Sequence, residues 1–313
     1  MNLNPIIDPN KRYDFMLVFD VMDGNPNGDP DAGNLPRIDP ETMQGIVTDV
    51  AIKRKIRDYV YLTRGHLEGF DIYVKHRGIL TNEQKKAYEQ LGKQENDGSP
   101  GTVKDARQWM CEHYFDTRMF GAVMSTKKFN AGQVRGAVQL TFARSVDPIF
   151  PSESRITRVA LTNADDIKGG DVADQEARAG QMGRKAHVPY GLYVAYGFYT
   201  PSFAAQTGVG EEDLKGLWES LVNMWDLDHS AARGRMACRG LYVFAHESRL
   251  GNAPSSQLFE KIDIRRFDKD VVARSYKGYQ AIINEVMPEG VTLHKIVSSF
   301  VTSPINDPAA RSL

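Results

Sequence analysis

The feature that most constrains the fold lies near the amino end. Residues Tyr13 to Met22 form an apolar and aromatic run in which Phe15, Leu17 and Phe19 recur at period two, as a central β-strand requires. The run meets Asp23-Gly-Asn-Pro-Asn-Gly-Asp-Pro-Asp-Ala-Gly-Asn34, whose density of turn formers dictates a loop, continuing through Pro40. A helix follows, with Thr48 as N-cap and Ile52, Ile56 and Tyr59 at i, i+4 and i+7 on one buried stripe.

Further along, strands and helices are mixed. The pattern predicts a short strand at Ile72 to Val74, a helix from Glu83 to Leu91, a loop from Gln94 to Gly101, and a capped helix after Thr102 carrying Trp109 and Met110. Val138, Leu140 and Phe142 alternate with Gln139 and Thr141 as a half-buried strand, preceded by Gly132 and Gly136. Asn163 to Gly183 holds only Ile167, Val172 and Met182 as larger aliphatics; a loop that long is functional or disordered. Order resumes with a strand at Leu192 to Tyr199, a helix built on Leu214, Leu217, Trp218, Leu221, Val222 and Trp225, and a strand at Leu241 to His246. Residues 303–313 are expected to fray. The order suits one composite α+β domain over residues 1–313, ferredoxin-like with large insertions.

Composition removes several function classes. The content of 41% hydrophobic and 25% charged residues is ordinary for a globular protein. No stretch approaches the roughly 18 uninterrupted apolar residues of a membrane span, and Met1 to Tyr13 is polar, so the expected location is the cytoplasm without a membrane partner. Cys111 and Cys238 lack CxxC spacing and are expected to be reduced thiols. With a formal net charge of −1, attraction to phosphate must come from local clusters.

Such clusters exist. Lys53, Arg54, Lys55 and Arg57 place four cations in five residues, on a helix whose start at Thr48 offers free amides to a phosphate. Lys53 and Arg57 share a face and are the stronger candidates; Lys55, opposite them, is expected on a solvated face. Arg37 precedes the helix. Glycine-flanked Arg135, with Gln139, offers a second contact, because glycine admits a close backbone approach and arginine pairs bidentately with phosphate. Lys127 and Lys128 beside Phe129 combine phosphate attraction with a stacking surface. No aromatic RNP1 octamer is present, so the expected recognition is of backbone shape rather than bases.

Several linked segments carry a resemblance: Asp23-Gly-Asn-Pro-Asn-Gly-Asp29, Val47-Thr-Asp-Val-Ala-Ile-Lys-Arg-Lys-Ile-Arg57, and Gly132-Gln-Val-Arg-Gly-Ala-Val-Gln139 through Arg144-Ser-Val-Asp147. Arg155-Ile-Thr-Arg158 and Met182-Gly-Arg-Lys185 belong to the same set. From about Tyr13 to Thr200 the chain resembles the backbone family of type I-C CRISPR Cascade complexes, within the RAMP superfamily. The resemblance implies an RNA-recognition-like palm, a helical fingers insertion near residues 61–115, and an extended thumb hairpin over residues 155–189. It also implies a non-catalytic role without metal or cofactor. Copies would stack head-to-tail along one crRNA and present it to a target DNA strand, with capping, crRNA-processing and large subunits as further partners. Contacts of that kind do not close and give a helical filament. In the thumb it points to Arg158, Arg184 and Lys185 as RNA contacts, with Met182 as a wedge beside a displaced base.

Other readings compete. Asp23, Asn25, Asn27, Gly28, Asp29 and Asp31 imitate an EF-hand loop, but position twelve is Asn34 instead of glutamate, and Pro26 and Pro30 favour turn chemistry. A metal-dependent RNA-guided endoribonuclease, as in related type III proteins, would use Asp23, Asp29 or Asp31. A free-standing RNA-binding regulator is a third class. His66, His76, His113, His187, His229, His246 and His294 lack H-x-x-x-H spacing, and no Walker loop or dinucleotide fingerprint occurs.

Overall fold

In a computed structural model, which describes residues 2–158 and 181–304 (side chains of 157, 158, 181, 182 and 302–304 excepted), the apolar run is strand β1 (Tyr13–Gly24). A two-residue ladder of β2 (Gly28–Asp29) with β3 (Leu35–Pro36) leads to β4 (Gln44–Val47) and helix α1 (Asp49–Arg64). Helices α2 (Leu80–Gln90), α3 (Pro100–His113) and α4 (Phe115–Phe120) precede a hairpin of β5 (Gly121–Met124) and β6 (Gly132–Arg135). Next come β7 (Val138–Leu140), β8 (Ala143–Pro148), β9 (Ser152–Arg158) and β10 (Gln181–Tyr199), then α5 (Pro201–Thr207), α6 (Glu211–Leu227) and β11 (Arg235–His246). The described chain ends with α7 (Ser255–Phe259), β12 (Ile262–Arg266), β13 (Tyr279–Ile283), β14 (Val291–Ser298) and β15 (Val301–Pro304).

The main sheet runs β14-β11-β1-β10-β8-β4 with every neighbouring pair antiparallel, and β7 and β9 also pair with β10. Strand β1 sits at its centre. Its odd-numbered side chains meet the helices: Phe15 lies edge-on to Trp218 at 5.2 Å, and Phe19 stacks on Tyr193 at 5.4 Å and Trp225 at 4.9 Å. Met16 and Val18 point the other way, into a cluster with Leu258, Ile264 and Tyr279 from a second layer formed by β12, β13, β15 and α7. Nine consecutive residues of β1 are therefore buried, because layers cover both faces of the strand.

Two of those nine are carboxylates, and each is matched. Asp14 accepts from Ser255 Oγ and His246 Nε2, both at 3.0 Å, and pairs with Arg12 at 3.0 Å. His246 Nδ1 accepts from the Asn252 amide at 2.9 Å, which assigns the ring proton to Nε2. Asp20 forms an ion pair with Arg239 at 2.9 Å and accepts from Tyr190 Oη at 3.3 Å; burial pushes its carboxyl up while Arg239 opposes the shift. Most of these partners belong to the main sheet itself, on β10 and β11, and Ser255 on α7 is the contact that reaches the second layer; each meets the need of a buried charge for a partner.

Several elements differ from expectation. Ile72–Val74 is not a strand: the amides of Tyr73 and Val74 donate to the Asp116 carboxylate at 2.7 and 3.1 Å, leaving only a bridge between Asp71 and Tyr114. Helix α3 begins at Pro100, and Thr102 within it donates to Asp97 at 2.8 Å. Strand β10 begins at Gln181 and β11 at Arg235, both earlier than periodicity suggested. Ser303 and Pro304 pair in parallel with β13 instead of fraying. Residues 305–313, and residues 159–180 of the expected thumb, lie outside the described residues.

Candidate nucleic-acid interface

At the edge of the main sheet, Ile46 of β4 pairs with Arg144 of β8, while its amide donates to the Arg37 carbonyl at 2.9 Å. Arg37 and Arg144 thus flank one residue. Two positions on, Thr48 caps α1 by accepting from the Ala51 amide at 3.3 Å, and its own amide donates to Asn27 Oδ1 at 2.9 Å. The turn-rich loop is therefore fastened to the helix start. Within it, Asp23 and Asn34 adopt left-handed φ values of 52° and 64°, and Asn25 donates to the Asn34 carbonyl at 2.7 Å.

Arg144 is about half exposed and pairs with Asp39 at 2.6 Å, an interaction that holds the Asp39 carboxyl below its ordinary range. Arg37 reaches Asp29 at 3.5 Å, yet among the described residues its Nε has no hydrogen-bond partner, nor does Asn25 Oδ1. Asp29 also accepts from the Asp31 amide at 3.2 Å, whereas Asp23 and Asp31 are exposed. Among the described residues no group of three His, Cys, Asp or Glu side chains can hold a metal, and no helix is long and apolar enough to cross a membrane. Both cysteines are free; burial pushes Cys111 up to about 11 and Cys238 to about 12, away from the thiolate that reactivity needs.

The basic helix divides into separate roles. Lys53 pairs with Asp49 at 2.8 Å and lies 5.7 Å from the centre of the Phe120 ring. Arg57 covers the same ring at 5.3 Å, as the shared face required, but it is buried and donates to Asp116 at 2.7 Å. The expectation of an open Arg57 is corrected: its charge is already matched inside the protein. Lys55 is a second correction, being only 4% exposed, ion-paired with Asp228 and 5.7 Å from the Trp225 ring centre instead of solvated. Arg54 is partly exposed and donates to the Val74 carbonyl at 2.8 Å.

Phe120 adjoins Gly121, whose register partner across the β5–β6 hairpin is Arg135, so Lys53 and Arg135 both abut this step. A Cβ on Gly136 would stand 2.2 Å from the Phe120 carbonyl carbon; close packing of the chain against itself, not approach of a ligand, is what requires this glycine. Arg135 is exposed with its guanidinium 4.1 Å above the Phe203 ring, and Gln139 is exposed on β7 opposite Phe198. Lys127 and Lys128 are exposed at the hairpin turn, where Lys128 meets Glu95 at 3.0 Å. Phe129 packs edge-on against Tyr88 at 5.6 Å, so the stacking surface expected beside these lysines is largely taken up. Arg184 and Lys185 stand on β10 opposite Arg155 and Ser154 of β9, while the side chains of Arg158 and Met182 lie outside the described residues.

The structure therefore gathers Arg37, Thr48 and Arg144 at the β4 edge and sets Lys53 and Arg135 at the hairpin neck. Arg144 was missed as a site residue. The available signal was its place in the segment Arg144-Ser-Val-Asp147, which belongs to the set that carries the resemblance.

The family described as CRISPR-associated protein Cas7 matches residues 11–284. The chain belongs to that family. A Haloferax volcanii protein named CRISPR-associated protein Cas7 is 27% identical over 234 residues, which is 68% of this chain and 64% of the relative's own length. Solved structures with some similarity include a chain titled CRISPR RNA-guided surveillance complex, pre-nicking, with 15% identity, coverage of 74% of this chain and 78% of that one, and a TM-score of 0.47. Another is a chain of the type III-B Cmr-beta complex bound to cognate target RNA, with 13% identity, coverage of 77% and 63%, and a TM-score of 0.40.

Proposed function

We propose that this Cas7 family member is a non-catalytic backbone subunit of a type I-C CRISPR surveillance complex in the cytoplasm. It oligomerises head-to-tail along crRNA and holds the guide for pairing with a target DNA strand, beside capping, crRNA-processing and large subunits. The observation that carries this reading is the family match across residues 11–284.

Physical features support it. The succession β1-α1-β8-β10-α6-β11, with sheet order β11-β1-β10-β8, fits a ferredoxin-like palm. Because both faces of its central strand are covered, that palm has no open aromatic platform on which to read bases, so contacts fall to edges and loops. Backbone contacts there ignore sequence, as a subunit serving any spacer must. The fingers, residues 61–115, would correspond to α2 and α3 around Tyr73, Tyr88, Met110 and Tyr114. The thumb, residues 155–189, would grow from β9 and β10. In that hairpin Arg155 and Arg184 are exposed directly opposite one another, an unfavourable pairing of like charges that a phosphate would relieve.

Arg37, Arg144, Lys53, Arg54, Arg135 and Gln139, with the Thr48 end of α1, are the proposed palm contacts. Lys127, Lys128, Arg184, Lys185, Arg158 and Met182 are proposed further out. In the Arg37→Glu/Arg144→Glu variant, the slope of log affinity against log salt should fall by about 1.4, at about 0.7 per single-strand phosphate contact. Both residues bond to surface acids, so thermal stability should hold. An unchanged slope in the folded variant would contradict the assignment.

A further inference from the structure

A cavity of about 510 Å³ opens between α3, β6 and the end of α5. Its charge is the reverse of the chain's: Lys104, Arg107 and Arg135 line it against one carboxylate, Glu112, in a protein of net charge −1. Glu112 is occupied, accepting from Gln108 at 2.9 Å. Neither Lys104 nor Arg107 has an ion pair among the described residues.

One of the three cations is held by an aromatic ring. Arg135 is fixed by its stack 4.1 Å above Phe203, which leaves the in-plane N–H fork for an oxyanion. Gln108 and Gln133 add neutral hydrogen-bonding groups to the wall. The carbonyl end of α5 forms the opposite rim, so the favourable potential for an anion lies on the α3 and β6 side. Cations that line one cavity repel one another unless an anion joins them, and the volume is in the range of small-ligand pockets, roughly 300–1,000 Å³, too small for a duplex.

We propose that this cavity binds one phosphate-bearing nucleotide unit, supplied either as a free nucleotide or as one unit of a single strand. Lys104 and Arg107 would neutralise the phosphate, with Arg135 bridging the cavity and the hairpin neck. The strand source rests on the nucleic-acid reading above; the free-nucleotide source stands without it.

The test is amine-reactive footprinting of Lys104 in the full chain, read by mass spectrometry, with adenosine monophosphate and with a short single-stranded RNA as separate probes. Lys104 should be shielded at least fivefold by one of them. Shielding by the mononucleotide identifies the free-nucleotide source, and shielding by RNA alone identifies the strand. Lys104→Glu/Arg107→Glu should weaken the effective probe at least tenfold at unchanged melting temperature, while Lys104→Arg/Arg107→Lys retains binding. Equal Lys104 reactivity with and without both probes would overturn the proposal, and this reading needs only the wild-type chain should a variant misfold. Arg37→Glu/Arg144→Glu keeps the two readings separable. Shielding of Lys104 by the mononucleotide should survive it, whereas failure of the β4-edge assignment shows as an unchanged salt slope.

Discussion

Replacing Arg57 with alanine separates a structural cation from an RNA-binding one. The Asp116 side chain is 1% exposed and accepts from Arg57 Nε at 2.7 Å and from the Tyr73 and Val74 amides at 2.7 and 3.1 Å. Alanine leaves that carboxylate buried with two backbone donors and no countercharge, a defect that costs about 3–5 kcal/mol. At roughly 2–4 °C per kcal/mol for a large domain, the melting temperature should fall by about 6–20 °C. Lys53→Ala is the control: its i,i+4 pair with Asp49 is worth about 0.3–0.5 kcal/mol, so melting should move by about 1–2 °C. Arg57→Met/Asp116→Asn should recover at least half of the loss, because the charge is gone and the asparagine oxygen still accepts from a backbone amide. Calorimetry without RNA is the assay. A shift under 2 °C for Arg57→Ala, or no recovery in the double variant, would refute the reasoning. If it holds, lost RNA binding in Arg57 variants must be separated from lost folding.

Two further outcomes follow from the buried groups and the acidic loop. Burial pushes the Tyr73 phenol up to about 12 and also raises Tyr193, whose hydroxyl has no hydrogen-bond partner among the described residues. Since an unfolded tyrosine titrates near about 10, this stabilisation is complete below about pH 10 and is lost as pH rises through about 12; tyrosinate absorbance should therefore rise together with loss of circular dichroism, and full titration near pH 10 in an intact fold would contradict it. With magnesium, manganese or calcium the protein should leave bound guide and complementary RNA intact. Cutting that disappears in Asp23→Ala, Asp29→Ala or Asp31→Ala would favour the nuclease.

The central strand was legible from Phe15, Leu17 and Phe19, but its second buried face was not. The residues that cover Met16 and Val18 come from 258–300, far along the chain and without a local signal at β1. Asp14 and Asp20 carried a hint, because charges inside an apolar run demand partners, yet nothing local names Arg239 or His246. Ile72–Val74 misled for a similar reason: a distant carboxylate, Asp116, captures the amides a strand would have used. Lys55 was readable in principle. It lies three residues after Ile52 and beside Ile56, on the buried stripe, and the density of neighbouring cations obscured that spacing. Within the candidate site, the capping role of Thr48 was visible in sequence, whereas the meeting of Arg37 with Arg144 depends on the β4–β8 pairing.

The most direct test of the central claim is nuclease protection of RNA by the protein produced with its neighbouring genes and a CRISPR array. RNA of defined length should be recovered, protected at a regular interval whatever the spacer sequence. Absence of RNA, or protection confined to one sequence bound by a monomer, would contradict it.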